Sequence, residues 1–316
     1  YIGRHTVQAL RRDGFEPLIF DDFSTGHRDF VGDVPFVEGD IRRIEDVEKA
    51  FSAFPIDGVL HFAGKALVAE SGEHPELYYE TNVVGGLNLL RVMAEAQVRP
   101  LVFSSTCATY GVPQTESIDE EHPQEPINPY GETKLAFEKA MGWFGSAHGI
   151  QHLSLRYFNA AGADPEGFYG EDHDPETHLI PLVLETAARL RSSITIHGTD
   201  YPTADGTCVR DYVHVTDLAE AHVSAIRMLM EGSIESQALN LGTGKGASVR
   251  EVIEVARAVT GREIPVTEGP RREGDPPRLV ASPDRAKALL RWKPQHSEIH
   301  AIVETAWGWL KKRKGV

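Results

Sequence analysis

A tyrosine and a lysine four positions apart, Tyr130 and Lys134, are the side chains here whose types and spacing most directly suggest catalysis. Pro129 suits the start of a helix, because the first turn does not need the N–H that proline lacks. The two side chains should then share one helix face. A free phenol has a pKa of about 10, and a fixed ammonium beside it favours the phenolate, so the pair predicts acid–base chemistry by Tyr130. A lone Tyr-x-x-x-Lys is more often ordinary surface, so the surrounding elements must decide.

The chain around this pair alternates short apolar strands with amphipathic helices. Strands are predicted at 18–20, 35–37, 58–64, 101–103 and 153–157, and helices at 44–54, 77–96 and 129–147. This alternation predicts an α/β fold with a doubly wound, Rossmann-type parallel sheet covered on both faces. Ligands of such sheets bind beyond the carboxyl ends of the strands. The residues at those ends are Asp21, Asp40, Phe62 to Gly64, Thr106, Phe158 and Asn159.

Two positions indicate a dinucleotide. Gly3 is placed as the last glycine of a phosphate-binding G-x-x-G-x-x-G turn, which lets helix and strand pack closely. Asp21 follows the strand 18–20, where a carboxylate holds the adenosine ribose and favours NAD over NADP. We therefore predict a NAD-binding domain over 1–160, completed by segments from about 205–245, and a smaller α/β substrate-binding domain over 161–316.

Composition narrows the class of protein. The chain has 316 residues and a net charge of −15, from 47 acidic residues against 32 Lys and Arg. This balance argues against nucleic acid as a partner. No apolar run approaches the roughly 18 residues of a membrane span. The two cysteines, Cys107 and Cys208, fit no metal or redox spacing, and we expect them to be reduced in a cytoplasmic protein.

Together with Thr106, the Tyr130–Lys134 pair belongs to a series of motifs that runs along the whole chain. The series is Tyr1-Ile2-Gly3, Glu38-Gly39-Asp40-Ile41-Arg42, His61-Phe62-Ala63-Gly64, Ser104 to Gly111, Pro129-Tyr130-Gly131, Arg156-Tyr157-Phe158-Asn159, Asp200-Tyr201-Pro202-Thr203, Val209-Arg210-Asp211-Tyr212 and Arg271-Arg272-Glu273-Gly274-Asp275. By these motifs the chain resembles the extended short-chain dehydrogenase/reductases, and among them most closely the UDP-glucose 4-epimerases. The combination is far more specific than any single motif.

The resemblance implies interconversion of UDP-glucose and UDP-galactose with a tightly held NAD. In that family NAD takes hydride from C4 of the sugar while the residue matching Tyr130 takes the proton of the 4-hydroxyl. The 4-keto sugar then turns over and receives the hydride on its other face. Lys134 is expected to lower the pKa of Tyr130 and bind the nicotinamide ribose, and Thr106 to hydrogen-bond the sugar 4-oxygen.

The same resemblance implies the binding residues. Expected cofactor contacts, besides Thr106, Tyr130 and Lys134, are Tyr1, Ile2, Gly3, Asp21, Asp40, Ile41, Phe62, Ala63, Gly64, Lys65, Asn82 and Phe158. Expected nucleotide-sugar contacts are Thr106, Tyr130, Asn159, Leu179, Arg210, Arg272, Asp275 and Leu279. The two arginines suit a diphosphate clamp, because the guanidinium fork matches phosphate oxygens. Three positions depart from the pattern: Arg4 stands where a small Ser is usual at the helix start, Lys65 stands one place early, and His178 replaces an Asn beside the uracil.

Leu279 is predicted to act as a gate for bulkier sugars. In the resembled family a Tyr here accompanies strict glucose/galactose enzymes, and a small residue accompanies enzymes that also accept 2-N-acetyl sugars. The intermediate Leu279 predicts some activity on UDP-N-acetylglucosamine, weaker than on UDP-glucose. The family usually forms homodimers through two helices, here about 77–96 and 130–147.

Several alternatives share parts of this pattern. A related UDP-N-acetylglucosamine or UDP-pentose 4-epimerase would keep the whole mechanism. A nucleotide-sugar 4,6-dehydratase needs Asp-Glu directly after the Thr, whereas Cys107 and Ala108 stand there. A dehydrogenase would exchange NAD and release NADH. A non-catalytic NAD-binding scaffold would not need the intact Thr106, Tyr130 and Lys134.

Two further expectations concern a loop and the start of the chain. The run Glu171-Asp172-His173-Asp174 mixes acids with a histidine, and we expect it to be solvated surface without a metal ion. In the resembled family a central strand and the first glycines of the phosphate-binding turn precede Tyr1. We therefore expect the natural polypeptide to begin upstream of Tyr1, because a sheet missing a central strand would leave buried backbone groups unpaired.

Overall fold

The computed structural model describes residues 1–272 and 274–316, so Glu273 of the motif at 271–275 lies outside the described residues. The helices are α1 (Ile2–Arg12), α2 (Ile44–Ala53), α3 (Val68–Glu73), α4 (Pro75–Tyr78), α5 (Gly85–Glu95), α6 (Pro129–His148), α7 (Leu179–Ala187), α8 (Val215–Met230), α9 (Val249–Thr260), α10 (Asp284–Leu289) and α11 (Ile299–Lys314). The strands are β1 (Ile19–Asp21), β2 (Phe36–Glu38), β3 (Val59–His61), β4 (Pro100–Thr106), β5 (Gln151–Tyr157), β6 (Asn159–Ala161), β7 (Ile194–His197), β8 (Val209–Arg210), β9 (Tyr212–His214), β10 (Gln237–Leu241), β11 (Ala247–Ser248), β12 (Val266–Gly269) and β13 (Arg278–Leu279). Short 3₁₀ helices lie at Arg28–Phe30 and Cys107–Tyr110.

The strands of the first half of the chain form parallel sheets, as the alternation of apolar strands and helices predicts. β1 pairs with β2, and four further strands pair in the order β10-β5-β4-β3, every pair parallel. The central strands β4 and β5 are buried over most of their length, which is typical of a sheet covered on both faces. β10 reaches β5 from the second half of the chain.

Helices cover the two faces of the four-stranded sheet with separate apolar layers. On one face α1 and α8 pack on the sheet, with Leu10 and Leu218 against Leu153. On the other, α5 and α6 pack with Met93 and Phe137 against neighbouring strands. Burying a large apolar side chain contributes about 1.5–3 kcal/mol, so these layers hold the carboxyl ends of the strands in fixed positions.

One predicted helix is broken where it passes the site. The predicted continuous helix 77–96 is wrong: α4 is followed by a π-helical turn, Tyr79–Val84, and only then by α5. The widened turn carries the buried Asn82, whose amide bonds two other segments of the chain. Such turns accommodate one extra residue and often mark functional positions. The tertiary contacts of Asn82 account for the departure from a regular helix.

The second half of the chain has its own apolar core and less regular structure. Helices α7, α9 and α11 pack around β7, which pairs with β12. Helix α9 begins with a capping box, in which the Ser248 hydroxyl accepts from the Glu251 N–H and the Glu251 carboxylate accepts from the Ser248 N–H. The other strands here have two or three residues each. Among the residues described, no helix is long and apolar enough to cross a membrane.

Candidate active site

Tyr130, Thr106 and Lys134 meet at the carboxyl edge of the four-stranded sheet. Thr106 is the last residue of β4, and its hydroxyl accepts from the Ala108 N–H at 3.1 Å. Tyr130 lies in the first turn of α6, which Asn128 caps by accepting from the Gly131 N–H at 2.9 Å. The Thr106 hydroxyl lies close enough to the Tyr130 phenol to lower the pKa of the phenol. A strand end and a helix start therefore bring together the two hydroxyls that the sequence predicts to face a substrate.

Lys134 is a buried cation whose bonding capacity is only partly used. Its side chain lies one helical turn after Tyr130 and the residue is 4% exposed. Among the described residues, its ammonium donates only to the Ser104 carbonyl, at 3.0 Å, although it has three donors. Burial lowers the pKa of Lys134 to about 8, against a raising effect of Glu138. Two remaining donors on a buried amine suit the hydroxyl groups of a ligand.

The expected activation of Tyr130 by Lys134 is not found in the structure. Burial raises the pKa of Tyr130 to about 12, although the hydrogen bond with Thr106 lowers it. The Lys134 Nζ lies 6.0 Å from the centre of the Tyr130 ring and is turned toward the Ser104 carbonyl. At that separation the ammonium does not offset the loss of solvent around the phenol. The protein by itself therefore holds Tyr130 as a neutral phenol.

A buried ion pair lies behind the predicted catalytic residues and was missed from the sequence. Arg156 of β5 donates to Glu138 of α6, with the Nε–Oε1 distance at 3.0 Å and side-chain exposures of 6% and 8%. Ser105, the neighbour of Thr106, also donates to Glu138, and Arg156 donates to the Tyr110 phenol at 2.9 Å. Glu138 follows Lys134 by one helical turn, the only hint in the sequence. The pair ties β4, β5 and α6 together.

The residues on the neighbouring strand ends fit a dinucleotide. Asp21 closes β1 and accepts from the Phe23 N–H at 2.8 Å, and partial burial raises its carboxyl pKa. A Cβ on Gly64 would lie 2.9 Å from the Asn82 Oδ1 and 3.4 Å from the Lys134 Nζ. Glycine therefore leaves room for a ligand close to the buried amine. Together with the unused donors of Lys134, these groups match what the ribose hydroxyls of NAD require.

Three of the predicted cofactor residues are engaged with the protein itself. Asn82 accepts from the Lys65 N–H at 2.8 Å and donates to the Lys65 carbonyl and to Thr133. Its amide is thus used at both ends, which makes it a brace between the segment after β3 and α6. The Asp40 carboxylate pairs with Arg42 at 2.6 Å, which lowers its pKa.

The other predicted cofactor residues lie along the same edge of the sheets. They are Tyr1, Ile2 and Gly3 at the start of α1, Ile41 after β2, Phe62 and Ala63 after β3, and Phe158 after β5. A Cβ on Gly3 would meet the Phe62 ring at 3.6 Å, an ordinary contact distance, so the packing of α1 against Phe62 does not by itself require glycine at this position. The side chain of Tyr1 points away from the sheet and donates to the Gly162 carbonyl at 2.7 Å.

The predicted nucleotide-sugar residues other than Thr106, Tyr130 and Leu179 lie on short strands and loops. Arg210 of β8 forms an ion pair with Asp275, with side-chain exposures of 12% and 26%. Leu279 of β13 stands in register with Arg210 and packs near Tyr110 and Phe158. The amide of Asn159 donates to the Asp211 carbonyl at 3.2 Å. The remaining predicted contacts are Leu179, the first residue of α7, and Arg272, which is exposed.

The loop predicted to be solvated surface is in fact partly buried. The side chain of Glu171 is 6% exposed, so that expectation is wrong for Glu171; the nearby Glu176, outside the predicted run, is 9% exposed. Their carboxylates face His173 and His178. His178, which replaces the expected Asn, is therefore directed to these two carboxylates. Sequence could not show this convergence, because the loop has no regular structure that fixes side-chain directions.

The chain matches known proteins over nearly its full length. Residues 1–242 match the NAD dependent epimerase/dehydratase family. The UDP-glucose 4-epimerase of Halalkalibacterium halodurans is 50% identical over 312 residues, covering 99% of this chain and 93% of that protein. The crystal structure of UDP-glucose 4-epimerase from Brucella ovis in complex with NAD is 45% identical, with a TM-score of 0.95 and coverages of 97% and 94%. The UDP-Glc/GlcNAc 4-epimerase of Campylobacter jejuni is 37% identical, with a TM-score of 0.87 and coverages of 99% and 96%.

Proposed function

The chain belongs to the NAD dependent epimerase/dehydratase family, and we propose that it interconverts UDP-glucose and UDP-galactose with tightly bound NAD. The relatives that are 44–50% identical carry this activity in their names. The observation that carries the proposal is the meeting of Tyr130 and Thr106 beside the buried Lys134. These groups occupy the carboxyl edge of a parallel sheet, where such folds bind their ligands.

The protein's own residues supply the proton chemistry of the reaction. We assign Tyr130 as the base that takes the proton of the sugar 4-hydroxyl and later returns it as the acid. Thr106, whose hydroxyl lies beside that phenol, would hold the sugar 4-oxygen in line. The widened turn at Asn82 and the pair Glu138–Arg156 keep α6 in place against β4. A positioned general base of this kind contributes about 10²- to 10⁴-fold in rate.

NAD, when bound, supplies a reversible hydride acceptor and a positive charge close to the phenol. Lys134 would bind the nicotinamide ribose through the donors that the Ser104 carbonyl leaves unused. Asp21 would hold the adenosine ribose from the end of β1. Because the protein alone holds Tyr130 protonated, with a pKa of about 12, the phenol should become an effective base only in the loaded enzyme.

On the nucleotide-sugar side we propose that Arg210 and Arg272 clamp the diphosphate. Arg210 is held by Asp275 in the structure, which orients its guanidinium before a ligand arrives. Asn159, Leu179 and Leu279 line the same side. Clamping there would hold the nucleotide in place while the 4-keto sugar turns over.

A related 4-epimerase is the second candidate, because Leu279 is intermediate in size and is packed beside Tyr110 and Phe158. The dehydratase alternative is disfavoured at Cys107. Burial raises the pKa of that thiol to about 12, and Ala108 has no acid–base group, so neither residue can eliminate water.

The decisive experiment is an assay of UDP-galactose and UDP-glucose interconversion with no added cofactor. We expect both directions to proceed to one equilibrium mixture, without net formation of NADH. A requirement for stoichiometric added NAD, with NADH released, would identify a dehydrogenase. Loss of water from the sugar, seen by mass spectrometry of the product, would identify a dehydratase. Either result contradicts the proposal.

We further propose a homodimer formed through α5, α6 and the turn between α4 and α5. Exposed apolar side chains on these elements support it: Trp143 is 76% exposed, Val84 48% and Tyr79 45%. Sedimentation equilibrium should give twice the chain mass, and Trp143→Glu should shift the protein toward the monomer. A monomeric wild type would contradict this assignment. A cytoplasmic location agrees with two cysteines that are both free and buried.

A further inference from the structure

Four side chains from one short loop converge on a single point between α1 and α7. They are Glu171, His173, Glu176 and His178, and one ligand atom of each lies within 4.8 Å of all the others. The loop contains neither helix nor strand. Neutral imidazole nitrogens and carboxylate oxygens are common metal ligands, so the cluster offers two nitrogen and two oxygen donors.

The distances between the imidazole nitrogens and the carboxylate oxygens are similar to those between atoms that bind one shared metal ion. The Nδ1 of His178 lies 2.7 Å from the Glu171 carboxylate and 3.2 Å from that of Glu176. The Nδ1 of His173 lies 3.2 Å and 3.8 Å from the same two carboxylates. In a tetrahedral zinc site with bonds of about 2.0–2.1 Å, neighbouring ligand atoms are about 3.4 Å apart. The observed distances fall on both sides of this value.

Direct hydrogen bonding does not account for the arrangement. Within the described residues, only the approach of His178 to Glu176 has hydrogen-bond geometry. The Nδ1 of His173 is buried and has no hydrogen-bond partner in that part of the chain, although leaving such a group unpaired costs about 1–3 kcal/mol. Both carboxylate side chains are more than nine-tenths buried. A cation between the four groups would give a bonded partner to the His173 Nδ1, which faces the Glu171 carboxylate at 3.2 Å without hydrogen-bond geometry, and would offset the negative charge of both buried carboxylates.

The surroundings hold the donors toward this point. The backbone N–H groups of Thr177 and His178 donate to the Glu176 carboxylate at 2.7 Å and 2.8 Å, the kind of outer bonding that orients ligands in metal sites. The ring of Tyr1 packs edge-on against His173, with the centres 6.3 Å apart. Asp172 is turned the other way, toward Arg313 of α11 at 2.8 Å, which separates it from the donor set.

We propose that Glu171, His173, Glu176 and His178 bind one divalent transition-metal ion, with Zn²⁺ the best match to two imidazoles and two carboxylates. All four positions around the ion would be filled by the protein, which is typical of structural rather than catalytic sites. The site lies between Tyr1, at the start of α1, and Leu179, the first residue of α7. A bound ion would therefore fix the loop that joins the cofactor side to the nucleotide-sugar side.

Metal content tests the proposal on the whole protein, free of any histidine tag. The protein is treated with a chelator, equilibrated with Zn²⁺, freed of loosely bound ion in a weak competing chelator, and analysed by elemental mass spectrometry. We expect about one Zn²⁺ per chain in the wild type and a higher Tm with Zn²⁺ than without. His173→Gln and Glu171→Gln should each weaken binding at least about 10-fold. Asp174→Asn, an exposed carboxylate of the same loop outside the donor set, is the matched control and should bind as the wild type does.

Two outcomes would overturn the proposal. One is a folded wild type that takes up no stoichiometric Zn²⁺. The other is Zn²⁺ that persists equally in both ligand variants, or that Mg²⁺ displaces, because a hard cation does not compete for imidazole. Should either variant misfold, Co²⁺ loaded into the wild type gives an independent answer. The intense visible absorption of a four-coordinate site supports the proposal, and the weak absorption of hydrated Co²⁺ contradicts it.

Discussion

The two sides of the proposed cleft place their functional groups by different means. On the strand-end side, formed by Asp21, Thr106, Tyr130 and Lys134, each side chain stands at the end of a strand or in the first turns of a helix. On the loop side, formed by residues 171–178, Arg210, Arg272 and residues 274–279, the groups stand on loops and two-residue strands. Regular elements packed on both faces hold the first set. The second set is held by contacts among its own side chains, such as the pair Arg210–Asp275.

The two sides also differ in what shifts the pKa values of their ionisable side chains. On the strand-end side burial is the main cause of the pKa shifts. Burial, with a smaller effect of the nearby Lys134, lowers the pKa of His61 to about 3. On the loop side partners dominate, and the carboxylates of Glu171 and Glu176 raise the pKa of His173 to about 9. A rigid sheet edge that excludes water can hold an unpaired charged side chain in position to bind a ligand. A loop must bring opposite charges together to be ordered at all.

The largest expected effect tests the strand-end side directly. Tyr130→Phe removes the proposed base and keeps the ring, so turnover should fall about 10²- to 10⁴-fold while NAD stays bound. Steady-state rates and the NAD absorbance of the purified variant measure both. The same change at the exposed Tyr79, 45% exposed, is the control and should leave turnover near that of the wild type. Near-normal turnover of Tyr130→Phe would remove Tyr130 from its assigned role.

Stability should separate a buried from an exposed charge on the same helix. Glu138→Gln leaves Arg156 without its ionic partner in a site that is less than a tenth exposed, and breaking such a pair costs about 3–5 kcal/mol. Urea unfolding followed by circular dichroism measures the loss. Glu132→Gln, on the exposed face of α6, should change the free energy of unfolding by less than about 0.5 kcal/mol. Equal losses in the two variants would show that the buried pair does not anchor α6.

On the loop side the effect should fall on specificity. Leu279→Tyr adds bulk beside Tyr110 and Phe158, and it should lower turnover of UDP-N-acetylglucosamine at least about 10-fold, since steric pocket changes of this kind are worth about 10- to 200-fold. Turnover of UDP-glucose should be spared. Leu279→Met, of similar volume, should change neither. If Leu279→Tyr lowers both activities by the same factor, this position is not the gate.

The smallest effect is a change in the pH dependence of stability. The folded pKa of His61, about 3, lies below its ordinary value of 6.5, so between these values the unfolded chain binds a proton that the folded protein excludes. Its contribution therefore makes the free energy of unfolding fall as the pH falls through this window. His61→Phe should reduce that slope by about 1.4 kcal/mol per pH unit, measured by urea unfolding between pH 4.5 and 6. The slope above pH 7 should not change, and an unaltered acidic slope would show that His61 is accessible to protons.

Sequence reasoning worked best where one backbone periodicity fixed one side chain. The spacing of Tyr130 and Lys134 placed both on α6, and the apolar run before Thr106 placed that residue at the end of β4. It failed where several segments meet. The helix predicted over 77–96 is broken at 79–84, because the Asn82 amide must reach Lys65 and Thr133, and neither partner is near it in sequence.

The sequence by itself determined the fold class and the family, and it predicted three reacting side chains, because strand alternation, helix spacing and ordered motifs are local properties of a chain. Only the tertiary structure decided their electrostatics and the role of the loop. The turning of Lys134 toward the Ser104 carbonyl, the pairing of Glu138 with Arg156, and the convergence of Glu171, His173, Glu176 and His178 all depend on which groups share a buried space. Burial and partner distance set the free energy of a charge, and neither can be read from the order of residues.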